Sequence, residues 1–221
     1  MIGIIIALKK EAEGLINKIS DKKELTFGGK SFYVGNFEGK NVVVAISGIG
    51  KVNAAIATQS AIDNFSPEFI INYGSAGGIK GKVKELCYYA ADKCCQYDFD
   101  LSAIDDVSVG YIQDYDTVYF YPETDGLGFL EKRSLATSDR FTEKSADIDT
   151  VESLGCSLFD MEGGAIAQVC TANGIPFYVI KGVTDVHGSG TSPDAFFINL
   201  KKVCDGFDGV LKKFFSEKAD A

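Results

Sequence analysis

Three acidic residues occupy positions where a carboxylate could do chemistry. Glu11 follows the first apolar run, inside the charged segment Lys9-Lys10-Glu11-Ala12-Glu13. Glu162 opens a stretch of small and apolar residues, Gly163 to Val169, and Asp185 comes directly after the apolar run Phe177 to Val183. A carboxyl kept from water can serve as a general acid, and an ionised one can grip substrate hydroxyls through charge-assisted hydrogen bonds. Each also has a plainer reading. Glu11 would be solvated surface charge, Glu162 a dipole partner at a helix start, and Asp185 the cap of the next turn. Two glycine-rich loops accompany the acids. Ser47-Gly48-Ile49-Gly50 is not a phosphate loop, because Ala45 and Val52 stand where a glycine and a Ser or Thr are required. It also lacks the third glycine of a dinucleotide fingerprint, Asn53 filling that place. Gly74-Ser75-Ala76-Gly77-Gly78 follows a buried run and lets backbone approach a ligand closely. By themselves these residues specify an acid-rich ligand site.

Composition narrows the alternatives. A single histidine, His187, rules out a multi-histidine metal centre, and it is expected in a loop near the crevice. Only Arg133 and Arg140 are arginines, so a site needing several bidentate anion clamps is poorly supplied. The 22 Lys and Arg against 31 Asp and Glu leave a net charge of -9, which argues against nucleic acid and anionic membrane as partners. Cys87, Cys94, Cys95, Cys156, Cys170 and Cys204 form no Cys-x-x-Cys pair and read as reduced thiols. No metal is expected. The apolar start Ile2 to Leu8 lacks a basic leader and is too short to span a bilayer, so a cytoplasmic location is expected.

The elements that must position these residues alternate between strand and helix. Met1 to Leu8 reads as a strand buried on both faces, followed by a helical pattern from Lys9 to Ile19. Phe32 to Phe37 and Asn41 to Ile46 read as strands, Lys51 to Phe65 as a helix closed by Pro67, and Phe69 to Tyr73 as a strand. Met161 to Asn173 predicts a helix stopped at Gly174, Phe177 to Val183 a strand, and Asp194 to Lys213 an amphipathic helix. The pattern predicts an α/β fold with a parallel or mixed sheet and one domain over residues 1–221, with no repeat or linker. Ligands of such sheets bind at the carboxyl ends of strands, where the acids and glycines fall. Seven of the ten tyrosines lie between Tyr88 and Tyr121, set among polar residues, which predicts an interface and a homo-oligomer.

Taken together, the segments GIIIALKKEAEGL, SGIGKVNAA, INYGSAGG, FDMEGGAIAQVC and VTDVHGSGTSPDAF resemble the 5'-methylthioadenosine/S-adenosylhomocysteine nucleosidases. These belong to the purine nucleoside and uridine phosphorylase superfamily. The resemblance runs in order along nearly the whole chain. It implies a three-layer α/β/α sandwich around a mixed sheet, a homodimer, no cofactor, and hydrolysis of an adenine nucleoside to free adenine. It implies further that Asp185 protonates purine N7 and that Glu11 positions or activates water near Ser75. Glu162 would hold the ribose hydroxyls beside Met161. Phe141 would stack on the base, with Thr142 offering backbone to its edge. Ile49, Ala76, Gly77 and Thr184 would complete the substrate site, and Phe196 would wall the alkylthio pocket. Leu101 and Ile104 would be lent to the neighbouring subunit's pocket. The chain departs from the pattern at Ile6 (commonly Gly), Asp160 (usually Glu), Lys181 (commonly Arg), Thr184 (usually Ser) and the pair Gly163-Gly164.

The chemistry asks for such residues. Departure of the base leaves an oxocarbenium-like sugar, so the leaving group must be protonated and negative charge must stand near the sugar. An Asp of ordinary pKa, roughly 3.9, must be desolvated to donate near neutrality. Lys9, Lys10 and Asn72 stand where phosphorylases carry phosphate-clamping arginines, which favours water as the nucleophile. Phosphorolysis is the alternative within the superfamily, and a non-catalytic nucleoside-binding protein is the alternative of another class.

Overall fold

The computed structural model describes residues 1–142, 144–189 and 193–219. Its strands are β1 (Ile2–Ile6), β2 (Ser20–Phe27), β3 (Lys30–Phe37), β4 (Lys40–Ile46), β5 (Phe69–Ile79), β6 (Tyr88–Gln96), β7 (Glu131–Thr137), β8 (Leu158–Asp160) and β9 (Phe177–His187). Its α-helices are α1 (Lys9–Ile16), α2 (Lys51–Phe65), α3 (Ser145–Ser153), α4 (Gly163–Asn173) and α5 (Pro193–Ala219). The strands form one mixed sheet in the order β2-β3-β4-β1-β5-β8-β7-β6-β9, and β9 also pairs with β5. The second half of the sheet therefore curls back and closes on β5.

Hydrophobic patterning explains the three layers. In β1, Ile5 packs toward α2 and α4, with Ala54, Ala57, Ala61 and Ile166. Its neighbours Ile4 and Ile6 point the other way, toward α1 and α5, with Ala12, Leu15, Val203 and Phe207. A strand with helices on both faces must be apolar throughout, which is why the run reads without alternation. Small residues on α2 and α4 let those helices approach each other and the sheet closely.

Several expectations are corrected. α1 stops at Ile16 rather than Ile19, and β5 and β9 continue past Tyr73 and Val183 through the glycines and Asp185, so His187 ends a strand instead of lying in a loop. Four strands, β2, β6, β7 and β8, go beyond those the pattern predicts, and the first three have polar sequences for physical reasons. β2 is an exposed edge strand rich in lysine, as unpaired edges require. β6 carries a bulge at its polar Asp92-Lys93 stretch, and β7 begins on charged residues. The tyrosine-rich segment is only partly surface. Tyr97 is buried with Ile79, Cys95, Val151 and Phe159 in a small core of its own, whereas Tyr121 is exposed. All six cysteines are free thiols, and four of them are buried. Among the described residues no helix is long and apolar enough to cross a membrane.

Candidate active site

Glu11 is buried, at 3 % exposure, although its neighbours Lys9, Lys10 and Glu13 face solvent. The first turn of α1 folds over the carboxyl end of β1, so this one position of the charged cluster turns inward. Its Oε2 accepts a hydrogen bond from the Leu8 N–H at 3.0 Å. Oε1 accepts from the Ser75 hydroxyl at 2.7 Å and from the Ser75 N–H at 3.2 Å. Solvated surface charge is thus the wrong reading for Glu11. The carboxylate is locked to β5.

Asp185 owes its placement to a bulge. In the parallel ladder between β5 and β9, Ala76 pairs with Val183 but Gly77 pairs with Asp185, leaving Thr184 without an opposite residue. A bulge re-aims the side chains beside it. The Thr184 hydroxyl donates to Asp185 Oδ1 at 2.7 Å, and Asn199 Nδ2 donates to the Thr184 carbonyl at 2.9 Å. Burial pushes the Asp185 carboxyl above its ordinary pKa. Nearby Glu85 adds to this, whereas the Thr184 hydrogen bond and His187 pull the other way.

Glu162 lies in the two-residue link between β8 and α4. Its Oε1 accepts the Gly50 N–H at 2.9 Å. Gly50 has φ +96°, a conformation glycine takes without strain, which turns its N–H toward the acid. Burial above all, then the Asp160 carboxylate and a smaller push from Glu11, raise the Glu162 pKa to about 7 against the opposing pull of Lys181 and the Gly50 N–H.

These three acids line one cavity together with Ile49, Ser75, Ala76, Gly77, Phe141, Thr142, Met161, Thr184 and Phe196. Gly77 must be glycine here, since a methyl on it would lie 2.1 Å from the Phe159 ring. Phe141 presents a largely exposed face and meets Phe196 edge to face, with ring centroids 6.3 Å apart. Thr142 is anchored from beneath, its hydroxyl 2.7 Å from the Tyr97 hydroxyl. The arrangement offers an apolar slot with carboxylates at separate points of its wall. Among the described residues no group of three or more His, Cys, Asp or Glu is placed to hold a metal ion.

The phosphorylase superfamily model matches residues 1–214. The chain is 33% identical over 214 residues to the 5'-methylthioadenosine/S-adenosylhomocysteine nucleosidase of Marinomonas sp. (strain MWYL1), spanning 91% of this chain and 92% of that protein. The chain belongs to this nucleosidase family.

Solved structures agree with that membership. The nucleosidase of Colwellia psychrerythraea 34H in complex with adenine superposes with a TM-score of 0.88 at 30% identity, covering 98% of this chain and 95% of that one. Futalosine hydrolase of Helicobacter pylori superposes with a TM-score of 0.89 at 26% identity, covering 98% and 97%.

Leu101 and Ile104, expected at the neighbouring subunit's pocket, lie outside this nucleosidase's own cavity. Both fall in the turns after β6, and Ile104 is 80 % exposed. Sequence reasoning missed residues that do line the cavity. Arg140 reaches its rim, where the guanidinium pairs with Asp147 at 3.0 Å. Phe159 comes from β8, too short a strand to announce itself by alternation. Lys9 and Lys10 face solvent outside it. Two departures from the family pattern, Asp160 and Lys181, prove to be in contact at 2.7 Å.

Proposed function

We propose that this protein hydrolyses the N-glycosidic bond of adenine nucleosides carrying a 5'-thio substituent, 5'-methylthioadenosine and S-adenosylhomocysteine, and releases adenine. The observation that carries the reading is the convergence of Glu11, Glu162 and Asp185 on one cavity. In this reading Asp185, whose carboxyl burial pushes above its ordinary pKa, gives its proton to N7, so the base leaves neutral. Glu162 accepts hydrogen bonds from the ribose hydroxyls beside Met161, and its charge offsets the positive charge growing at C1'. Water held by Glu11 and Ser75 attacks C1' as the bond to the base breaks, and Glu11 takes the water's proton.

Phe141 supplies the stacking face for the purine, Thr142 the backbone at its edge, and Phe196 apolar wall for the alkylthio group. Ile49, Ala76, Gly77 and Thr184 shape the slot between them. Water as nucleophile is supported by the cation placement. Lys9 and Lys10 face solvent, and Arg140 is engaged by Asp147. The protein acts as a cytoplasmic homodimer of single-domain subunits in this reading. Support comes from Ile104 and from Ile49, Val52 and Ile56 near the start of α2, which are exposed apolar side chains. Leu101 and Ile104 would then complete the partner's alkylthio pocket.

The test is release of free base from 5'-methylthioadenosine, S-adenosylhomocysteine and futalosine, with and without phosphate. Adenine release at equal rates in both conditions is expected. Strict phosphate dependence with a sugar 1-phosphate product would replace hydrolysis by phosphorolysis, and nucleoside binding without turnover would remove the enzyme reading.

A further inference from the structure

The ion pair between Lys181 Nζ and Asp160 Oδ2 is 2.7 Å long, and both side chains are 1 % exposed. A buried pair of this kind gains little net stability, because two charges must be stripped of water. Its position is more informative than its energy. Lys181 lies on β9 directly beneath the cavity floor, since a methyl on the lining residue Gly74 would stand 3.6 Å from Nζ. Asp160 ends β8, two residues before Glu162.

The Asp160 carboxylate clamps both flanks of Glu162. Oδ2 accepts the N–H of Gly163 at 2.8 Å, in the first turn of α4, and Oδ1 accepts the Thr137 hydroxyl. The Thr137 oxygen in turn accepts the N–H of Gly164 at 2.7 Å. A methyl on Gly163 would crowd Leu135 at 2.5 Å and the same Asp160 oxygen at 3.0 Å, so the short acid and the bare helix start fit each other. Met161 and Glu162 form the link held between these fixed points.

The charges add a second role. Glu162 faces Asp160 from β8, Lys181 from β9, Glu11 from α1 and the Gly50 N–H ahead of α2. Two carboxylates beside a third in a desolvated pocket drive it toward protonation, and a neutral Glu162 loses the charge-assisted grip that ribose binding needs. Lys181 opposes that drift.

We propose that Lys181 and Asp160 are positioning residues for nucleoside cleavage: the pair fixes the link that aims Glu162 at the sugar, and the buried ammonium favours the charged form of that carboxylate. The inference rests on the functional reading above. It deepens that reading by assigning a task to Lys181 below the cavity and to Asp160 in its wall.

The experiment compares wild type with Lys181→Met, Lys181→Arg and Thr137→Val. It measures KM and kcat for 5'-methylthioadenosine across pH, and Kd for free adenine. For Lys181→Met, KM rises about tenfold or more, and the acidic limb of kcat/KM moves to higher pH. Free adenine, which has no sugar for Glu162 to hold, binds within twofold of wild type. Lys181→Arg keeps the acidic limb where it was, and Thr137→Val raises KM without moving the limb. Wild type that cleaves no nucleoside would sink the functional reading. Wild type that cleaves, with a folded Lys181→Met unchanged in KM and pH profile, would sink this inference alone. Equal losses for adenine and nucleoside would mark the pair as merely structural. If Lys181→Met fails to fold, an acidic limb moved by Lys181→Arg, or a normal KM in Thr137→Val, overturns it.

Discussion

Thr184 donates its hydroxyl proton to Asp185 from the bulged position of β9, across 2.7 Å. The bond favours the ionised carboxylate, whereas burial favours the neutral acid and wins, so Asp185 sits above its ordinary value. Removing the hydroxyl should leave the acid protonated to higher pH. Thr184→Val is expected to move the basic limb of the kcat profile upward in pH, read from initial rates of adenine release. Unchanged limbs would remove Asp185 as the proton donor.

Asp185→Asn keeps the shape of the side chain but has no acidic proton to give to the base. A loss of about 100-fold to 10,000-fold in kcat is expected, the usual worth of a positioned general acid. Circular dichroism and melting should stay near wild type, because the amide oxygen of Asn can still accept the Thr184 hydroxyl.

Glu11 and Ser75 should separate in their effects. Glu11→Gln removes the proton acceptor and is expected to abolish measurable hydrolysis while adenine still binds. Ser75→Ala removes one of the hydrogen bonds that orient Glu11, and a loss on the order of tenfold in kcat follows from a charge-assisted bond of about 1.5 kcal/mol. Equal losses in the two variants would mean that Ser75 matters as much to the step as the acid itself.

Glu162 makes stability depend on pH in a recognisable direction. Its folded value of about 7 lies above the roughly 4.3 of an unfolded Glu, so the native state binds the proton more tightly. Stability from this group is greatest below the unfolded value and falls as pH rises through the folded one, by on the order of 3 kcal/mol. Glu162→Gln is expected to melt near wild type at pH 5 and above it at pH 8, while losing activity. A constant difference between the two proteins across that range would contradict the buried, strained carboxylate.

Gly77→Ala tests the close approach of β5 to β8. The added methyl would stand 2.1 Å from the Phe159 ring at the cavity wall. Overpacking of about 1–3 kcal/mol should lower the melting temperature and weaken nucleoside binding together. For the subunit contact, Ile104→Glu should shift a dimer toward monomer in analytical ultracentrifugation and raise KM for the alkylthio substrate, with little change in the Kd for adenine.

Much of the framework was legible because burial on both faces leaves a mark in one dimension. β1, β4, α2 and the start of β9 announce themselves by unbroken apolar runs or by glycine and proline stops. β2, β6 and β7 did not, since an edge strand, a bulged strand and a strand that begins on charges all carry polar residues that belong equally to loops. The ends of β5 and β9 were placed too early for a related reason. Glycines and an acid normally stop a strand, but here the ladder between the two absorbs them by a one-residue slip.

The sequence by itself determined which residue types were present for chemistry, and the order of the motifs was enough to show the family resemblance. It left Glu11 open between a surface charge and a buried group, because a charged cluster looks the same from outside whichever member turns inward. Only the tertiary structure decided that Glu11 bonds to Ser75, that the bulge at Thr184 aims Asp185 into the same cavity, and that Asp160 meets Lys181 beneath it. Those relations join residues 64 positions apart in one case and 21 in another, set by strand register and helix packing. Local patterning records what each segment prefers; contact between distant carboxylates and their partners is a property of how the segments close on one another.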